Sequence, residues 1–262
     1  MKIFNHVLII CFSLISISCN SKDEINKLCK SIDSLTKEVD DLHQLISITS
    51  KYNAKIILDT AEGDYCKILL FRPNGLRCEI TNIRPKFKVN NFLCVPAAFT
   101  SKTNDIDGVF VLKNTIIKNQ INKTVNGICI LYYNKINFDF VQNIQKDTCS
   151  NINSSDYSLF QQSLLIKDSL IVPCPLFDNS LNLRRAFIQL DDTYMVCESK
   201  TAVSILDFQK SLLSIGVVNA IYLDMGSWSE GWYKNDKLQK VSIGQNFSNT
   251  SKQTNWLVYT NK

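Results

Sequence analysis

Residues 220–233, Ala-Ile-Tyr-Leu-Asp-Met-Gly-Ser-Trp-Ser-Glu-Gly-Trp-Tyr, carry an apolar run (Ala220, Ile221, Tyr222, Leu223) into Asp224 and then into a loop dense in small residues and tryptophan. The run reads as a buried strand. Just upstream, Ser204 followed by Asp207 resembles a capping box, Ile205, Phe208, Leu212 and Ile215 form one apolar face, and Gly216 stands where a glycine stops a helix. The spacing predicts a helix over about 205–215, and a strand from Val217 to Leu223 delivered into the interior of a sheet. A carboxylate and a small-residue loop at the exit of such a strand form a place where backbone can approach a ligand.

Working outward, the pattern is of short strands. Ala186 to Leu190 and Tyr194 to Cys197 pair around Asp191-Asp192, and Leu164 to Ile166 pairs with Leu170 to Val172 around Lys167-Asp168. Earlier hairpins are expected at Val109–Leu112/Thr115–Ile117, at Ile128–Tyr133/Ile136–Phe140, and at Tyr65–Phe71/Leu76–Ile83 across Arg72-Pro73-Asn74-Gly75. Phe92 to Thr100 is a further run, limited by Pro96 to an edge or an end. Residues 141–158 are polar and aperiodic, a surface loop. The expected fold class is α+β: a single domain over 52–262, a mixed β-sheet built from hairpins with one packed helix, preceded by an N-terminal coiled-coil-like helix.

That first helix is read from Ile25, Leu28, Ile32, Leu35, Val39, Leu42 and Ile46, a three-four alternation with β-branched residues at one seam position and leucine at the other. It fits a parallel homodimer through residues 25–46, or one amphipathic helix packed on the following domain. Before it, Met1-Lys2 and the apolar run Val7 to Ile17 read as an export signal over 1–18, too short to span a bilayer. Ser18-Cys19 resembles a bacterial lipobox with Ser16 where leucine is usual, and Lys22-Asp23-Glu24 resembles the acidic export tag of Bacteroides-group surface lipoproteins. The resemblance implies lipidation at Cys19, a stalk over 19–51, and a bacterial cell envelope as location, anchored to the outer membrane. A plain secretory signal is the alternative.

The net charge of +5 is small and its basic residues are scattered, which gives no nucleic-acid footprint. Most cysteines beyond the N-terminal segment sit in apolar runs, as small hydrophobes do; one or two disulfides would suit an exported protein. The only histidines are His6 and His43, outside the globular part. That excludes histidine relays and histidine-ligated zinc, and no HExxH, Walker loop or GxGxxG is present. No cofactor or metal is called for. Catalysis here would use carboxylates as acid and base, which is glycosidase-like chemistry.

Asp224 is the first candidate, its plainer use being a turn-forming aspartate before Met225-Gly226. Glu230, set among Trp228, Trp232 and Tyr233, is the second; flat aromatic faces beside a carboxylate suit a sugar ring, and core packing explains them nearly as well. Arg184 and Arg185 open the strand beside Asp224, where a guanidinium grips a phosphate in bidentate fashion or pairs with Asp191, Asp192 or Glu198. Asp105 and Asp107 read as turn residues.

The order of Ala97-Ala98-Phe99-Thr100, Asp107-Gly108-Val109-Phe110-Val111, Phe160 to Leu165, Arg184-Arg185-Ala186, the helix with Gly216, and Asn219 to Ser227 resembles the phosphodiester glycosidase family over roughly 90–235. The resemblance implies an α+β domain, a site around the loop after the Asp224 strand, and hydrolysis of a sugar-1-phosphate diester. It implies Asp224 as the family aspartate, Gly226 as a loop glycine, Ser227 or Ser229 as the loop serine, and Arg184 or Arg185 as the arginine. Met225 and Trp228 interrupt the glycine-rich loop, and an asparagine usual near Ala97–Thr100 is missing. The expected ligand is a glycan or sugar phosphate, with Trp228 and Trp232 against the sugar. The alternative is a glycan-binding or scaffold lipoprotein without turnover.

Overall fold

The computed structural model describes residues 22–52, 54–132, 135–143, 157–175, 177, 179–226 and 229–261. Ser227 and Trp228 lie outside the described residues, as do the export segment and Cys19. The chain divides into two compact units, Met1–Tyr52 and Asn53–Lys262.

In the first unit, α1 is one helix, Lys22–Tyr52. Its apolar stripe faces water: Ile25, Leu28, Leu35, Val39 and Leu42 are all exposed. The coiled-coil element expected here is corrected to a single amphipathic helix with an exposed apolar stripe. No helix among the described residues is long and apolar enough to cross a membrane.

The second unit is built from strands. In chain order they are β1 (Lys55–Glu62), β2 (Lys67–Asn74), β3 (Arg77–Thr81), β4 (Asn91–Pro96), β5 (Phe110–Leu112), β6 (Thr115–Lys118), β7 (Gly127–Tyr132), β8 (Lys135–Phe140) and β9 (Ser158–Gln162). After these come β10 (Leu164–Lys167), β11 (Leu170–Ile171), β12 (Arg185–Leu190), β13 (Thr193–Ser199), the helix α2 (Ile205–Ser214), β14 (Val217–Tyr222), β15 (Trp232–Lys234), β16 (Lys240–Ser242) and β17 (Trp256–Thr260). They form a seven-stranded sheet in the order β1-β2-β13-β12-β14-β10-β11, a five-stranded sheet β16-β15-β4-β17-β3, and a second five-stranded sheet β6-β5-β9-β7-β8.

Every pairing between these strands is antiparallel. The expected α+β domain on one mixed sheet is thus overturned: among the described residues the unit is mostly β, three antiparallel sheets with one α-helix laid on the first and two short 3-10 helices, Val141–Asn143 and Phe247–Lys252. The physical reason is burial. In β12, Ala186, Ile188 and Leu190 face the helix with Phe208 and Leu212, while Phe187 faces the core shared by all three sheets. In β14, Ala220 and Tyr222 take the helix side and Ile221 the other. A strand covered on both faces reads as a continuous apolar run, and that pattern resembles a parallel strand.

The hairpins β5–β6, β7–β8, β10–β11 and β12–β13 form where expected, and Lys113 and Asn114 both take positive φ (46° and 63°), the two-residue turn that matches strand twist. The expected hairpin across residues 72–75 does not. β2 pairs with β1 and β13, β3 pairs with β17 in another sheet, and Gly75 at φ 62° lets the chain switch sheets. Helix α2 starts as read, with the Ser204 hydroxyl accepting the Asp207 amide at 3.1 Å.

Candidate functional site

Strand β14 lies between β12 and β10, and its exit leaves the first sheet for the second. The amide of Leu223 donates to the Arg185 carbonyl at 3.0 Å, and the next amide, that of Asp224, donates to Ala97 O at 2.9 Å just past β4. Asp224 therefore sits where the ends of two sheets meet. Its carboxyl accepts hydrogen bonds from the Gln253 side chain and the Thr100 backbone N–H. Burial outweighs these donors and the nearby Arg185 charge, and the carboxyl is pushed up to about 7. A carboxyl raised into the neutral range can hold a proton that an ordinary aspartate would have lost, as a proton-transferring group requires.

Around it stands a polar frame. Asn255, fully buried, accepts the Ala98 amide at 2.7 Å and donates to the Ala98 carbonyl at 3.0 Å, copying a strand pairing with a side chain. Ser163 O accepts the Tyr222 amide, and the Gln162 Oε1 accepts the Ser163 amide at 2.9 Å. Segments that lie far apart in the sequence, Ala97–Thr100, Gln162-Ser163, Arg185 and Asp224, are brought together by these bonds.

Arg184, just before β12, and Arg185, its first residue, are both buried and reach different partners. Arg185 donates through Nε to Glu198 Oε1 at 2.6 Å, and its Nη1 reaches Ser229 Oγ and the Glu230 carbonyl, each at 2.9 Å. Ser229 Oγ in turn donates to the Asp224 carbonyl at 3.2 Å, so one guanidinium ties the loop after Asp224 back to the sheet. Arg184 goes the other way. Its Nε donates to Val203 O at 3.1 Å, its Nη2 to Ser180 O at 2.6 Å, it bonds Tyr222, and its guanidinium lies 5.4 Å from the Phe177 ring centre. Among the described residues no carboxylate pairs with Arg184.

The remaining sequence candidates are distributed as follows. Gly226 borders open space and its carbonyl accepts from the Gln245 side chain. Glu230 is ion-paired with Arg84 and accepts the Trp256 indole N–H at 3.3 Å. Among the described residues the carboxyls of Asp224 and Glu230 share no hydrogen-bonding partner. Trp232 is buried with Cys94, Trp256 and Val258, and meets Phe87 edge to face at 5.3 Å. It packs as core.

Glu198 was named in the sequence as a possible ion-pair partner of the arginines, and the β12–β13 register places it opposite Arg185, with which it pairs. Gln253, Thr100 and Asn255 were not read as site residues; they contribute only through long-range approach, which local pattern does not carry. Among the described residues no cluster of three or more histidine, cysteine, aspartate or glutamate side chains could hold a metal ion. The described cysteines are free, four of them buried, and burial pushes the Cys174 thiol up to about 12.

No family model and no curated protein matches the chain. Several solved structures resemble its fold, and two illustrate it. One is the zebrafish N-acetylglucosamine-1-phosphodiester alpha-N-acetylglucosaminidase catalytic domain, auto-inhibited by its pro-peptide, at 12% identity and a TM-score of 0.55, covering 78% of this chain and 82% of that one. The other is a hypothetical protein from Synechocystis, at 10% identity and a TM-score of 0.52, covering 78% of this chain and 61% of that one. At these identities the likeness concerns fold.

Proposed function

We propose that the Asn53–Lys262 unit hydrolyses a glycosidic bond in a sugar-1-phosphate diester or related glycan. The observation that carries this reading is Asp224: a carboxyl held near neutrality, at a sheet junction, on a fold similar to that of a phosphodiester glycosidase catalytic domain. In this reading Asp224 gives a proton to the leaving oxygen as the bond from the sugar carbon breaks, and water supplies the hydroxyl. Glu230 is the second carboxylate. Arg184 or Arg185 offers charge to the phosphate, and Arg185, through Ser229, also holds the loop in place.

Incubation with an N-acetylglucosamine-1-phosphodiester and with nitrophenyl glycosides is expected to release free sugar, and Asp224→Asn to lower that rate about a hundredfold or more. Absence of turnover on every substrate, or an undiminished rate in the variant, removes the reading. One observation favours the alternative of binding without turnover: the Glu230 carboxylate is already engaged by Arg84 and Trp256. That alternative predicts saturable glycan binding with no product.

The export reading is part of the same proposal, with the protein lipid-anchored at Cys19 in a bacterial envelope. Labelled fatty acid is expected in the wild-type protein and absent from Cys19→Ser; equal labelling would exclude Cys19 as the site.

A further inference from the structure

The loop between β3 and β4 reads Ile83-Arg84-Pro85-Lys86-Phe87-Lys88-Val89, apolar and basic residues in alternation with no acid among them. It holds no helix or strand, yet it is fastened at its base. Lys234 Nζ donates to Lys88 O at 2.7 Å and to Val89 O, the Asn91 side chain donates to Lys86 O at 2.9 Å, and Phe87 rests its ring against Trp232. The apolar side chains nevertheless face water, with Ile83 75% and Val89 84% exposed and Phe87 42%.

Loops ordinarily present polar side chains, and Ile83 and Val89, fixed outward, gain little from the core. Next to them, the turn between β15 and β16 adds Leu238, 62% exposed, with Lys237 and with Lys240, whose ammonium lies 5.9 Å from the Trp232 ring centre. Acids near the patch are few and engaged: Glu230 pairs with Arg84, Asp236 lies 3.8 Å from Lys55, and Glu79 borders the cleft behind the loop and has partners of its own. That cleft, of about 330 Å³, is lined by Arg84, Lys86, Lys88, Ile83 and Pro85. Among the described residues neither Lys86 nor Lys88 pairs with a carboxylate.

From this charge complementarity we propose that the 83–89 loop docks the globular unit onto an anionic phospholipid surface. Ile83 and Val89 enter the acyl boundary while Lys86 and Lys88 remain at the level of the phosphates, their stems lying along the apolar side chains. A soluble polyanion would use the cations and leave Ile83 and Val89 without a role. Use of this surface requires no turnover at Asp224.

The test uses protein from Lys22 to Lys262, which contains every apolar core of the fold, and vesicles of phosphatidylcholine with or without phosphatidylglycerol. Wild type is expected to sediment with the anionic vesicles and not with the neutral ones, less so as salt rises. Lys86→Gln/Lys88→Gln should weaken partitioning about thirtyfold. Ile83→Ser/Val89→Ser, both at exposed positions that leave packing intact, should weaken it about tenfold or more. Equal binding to both vesicle types, or no binding to either, overturns the proposal. It is also overturned if the serine pair binds vesicles as wild type does while the glutamine pair loses binding to dextran sulfate, the result expected of a site for soluble polyanions.

Discussion

Glu198→Ala is expected to destabilise the globular unit by about 3–5 kcal/mol, the cost of leaving a buried charge without its counter-ion. Arg185 has no solvent exposure and Glu198 is 6% exposed, so neither water nor salt can replace the lost carboxylate. Ser229 Oγ and the Glu230 carbonyl would still accept from Nη1, but Nε would lose its acceptor and Nη2 its ion-pair partner. Chemical denaturation followed by circular dichroism reads the change directly. Arg185→Leu/Glu198→Leu should recover most of the loss, since two apolar side chains of similar size carry no unpaired charge. A loss below about 1 kcal/mol in Glu198→Ala would place this pair with solvent-screened surface bridges. The double variant should still lose the loop contact to Ser229, so recovered stability without recovered turnover would separate the role of Arg185 in positioning from its role in folding.

That pair also shows what local sequence carries. The β12–β13 hairpin and α2 follow from alternation, a turn and a cap, all contained in neighbouring residues, and the hairpin register then fixes Arg185 opposite Glu198. Asp224 at the exit of an interior strand follows from the same kind of reading. What pairs with a strand after it leaves its neighbours does not. β2 and β3 flank a turn that suits a hairpin, yet the chain bends at Gly75 and each strand finds a distant partner, β13 for one and β17 for the other. The class of the sheet was equally hidden, because strands covered on both faces lose the alternation that marks antiparallel sheets. Trp232 illustrates the limit at the site: its spacing from Glu230 is visible in the sequence, but the Cys94 and Trp256 that cover it come from other strands.

Asp224→Asn is expected to gain stability at pH 8 and to gain none at pH 4. The folded carboxyl titrates at about 7, against roughly 4 for an unfolded aspartate. Between those values the folded state keeps a proton that the unfolded state has released, so this group lowers stability as pH rises through the window, and the whole penalty is present above pH 7. With allowance for the partial exposure of Asp224, the penalty is on the order of 2–3 kcal/mol. An amide carries no charge and escapes it. It accepts through only one oxygen, so one of the two donors, Gln253 or the Thr100 N–H, faces an N–H instead, at about 1 kcal/mol. Rotation of the Gln253 amide eases this conflict, since its Oε1 is buried without a donor and would take one from the new side chain. The variant should therefore be more stable than wild type by about 1–2 kcal/mol at pH 8, which raises its melting temperature by roughly 2–8 °C, and equal or slightly less stable at pH 4. Thermal unfolding at both pH values measures this without any substrate. A variant that tracks wild type at both would mean that Asp224 titrates as an ordinary carboxyl, and the group on which the proposed chemistry depends would have no special protonation state to offer. Greater stability at pH 8 together with lost turnover would instead be the trade expected of a carboxyl kept partly buried for its chemistry.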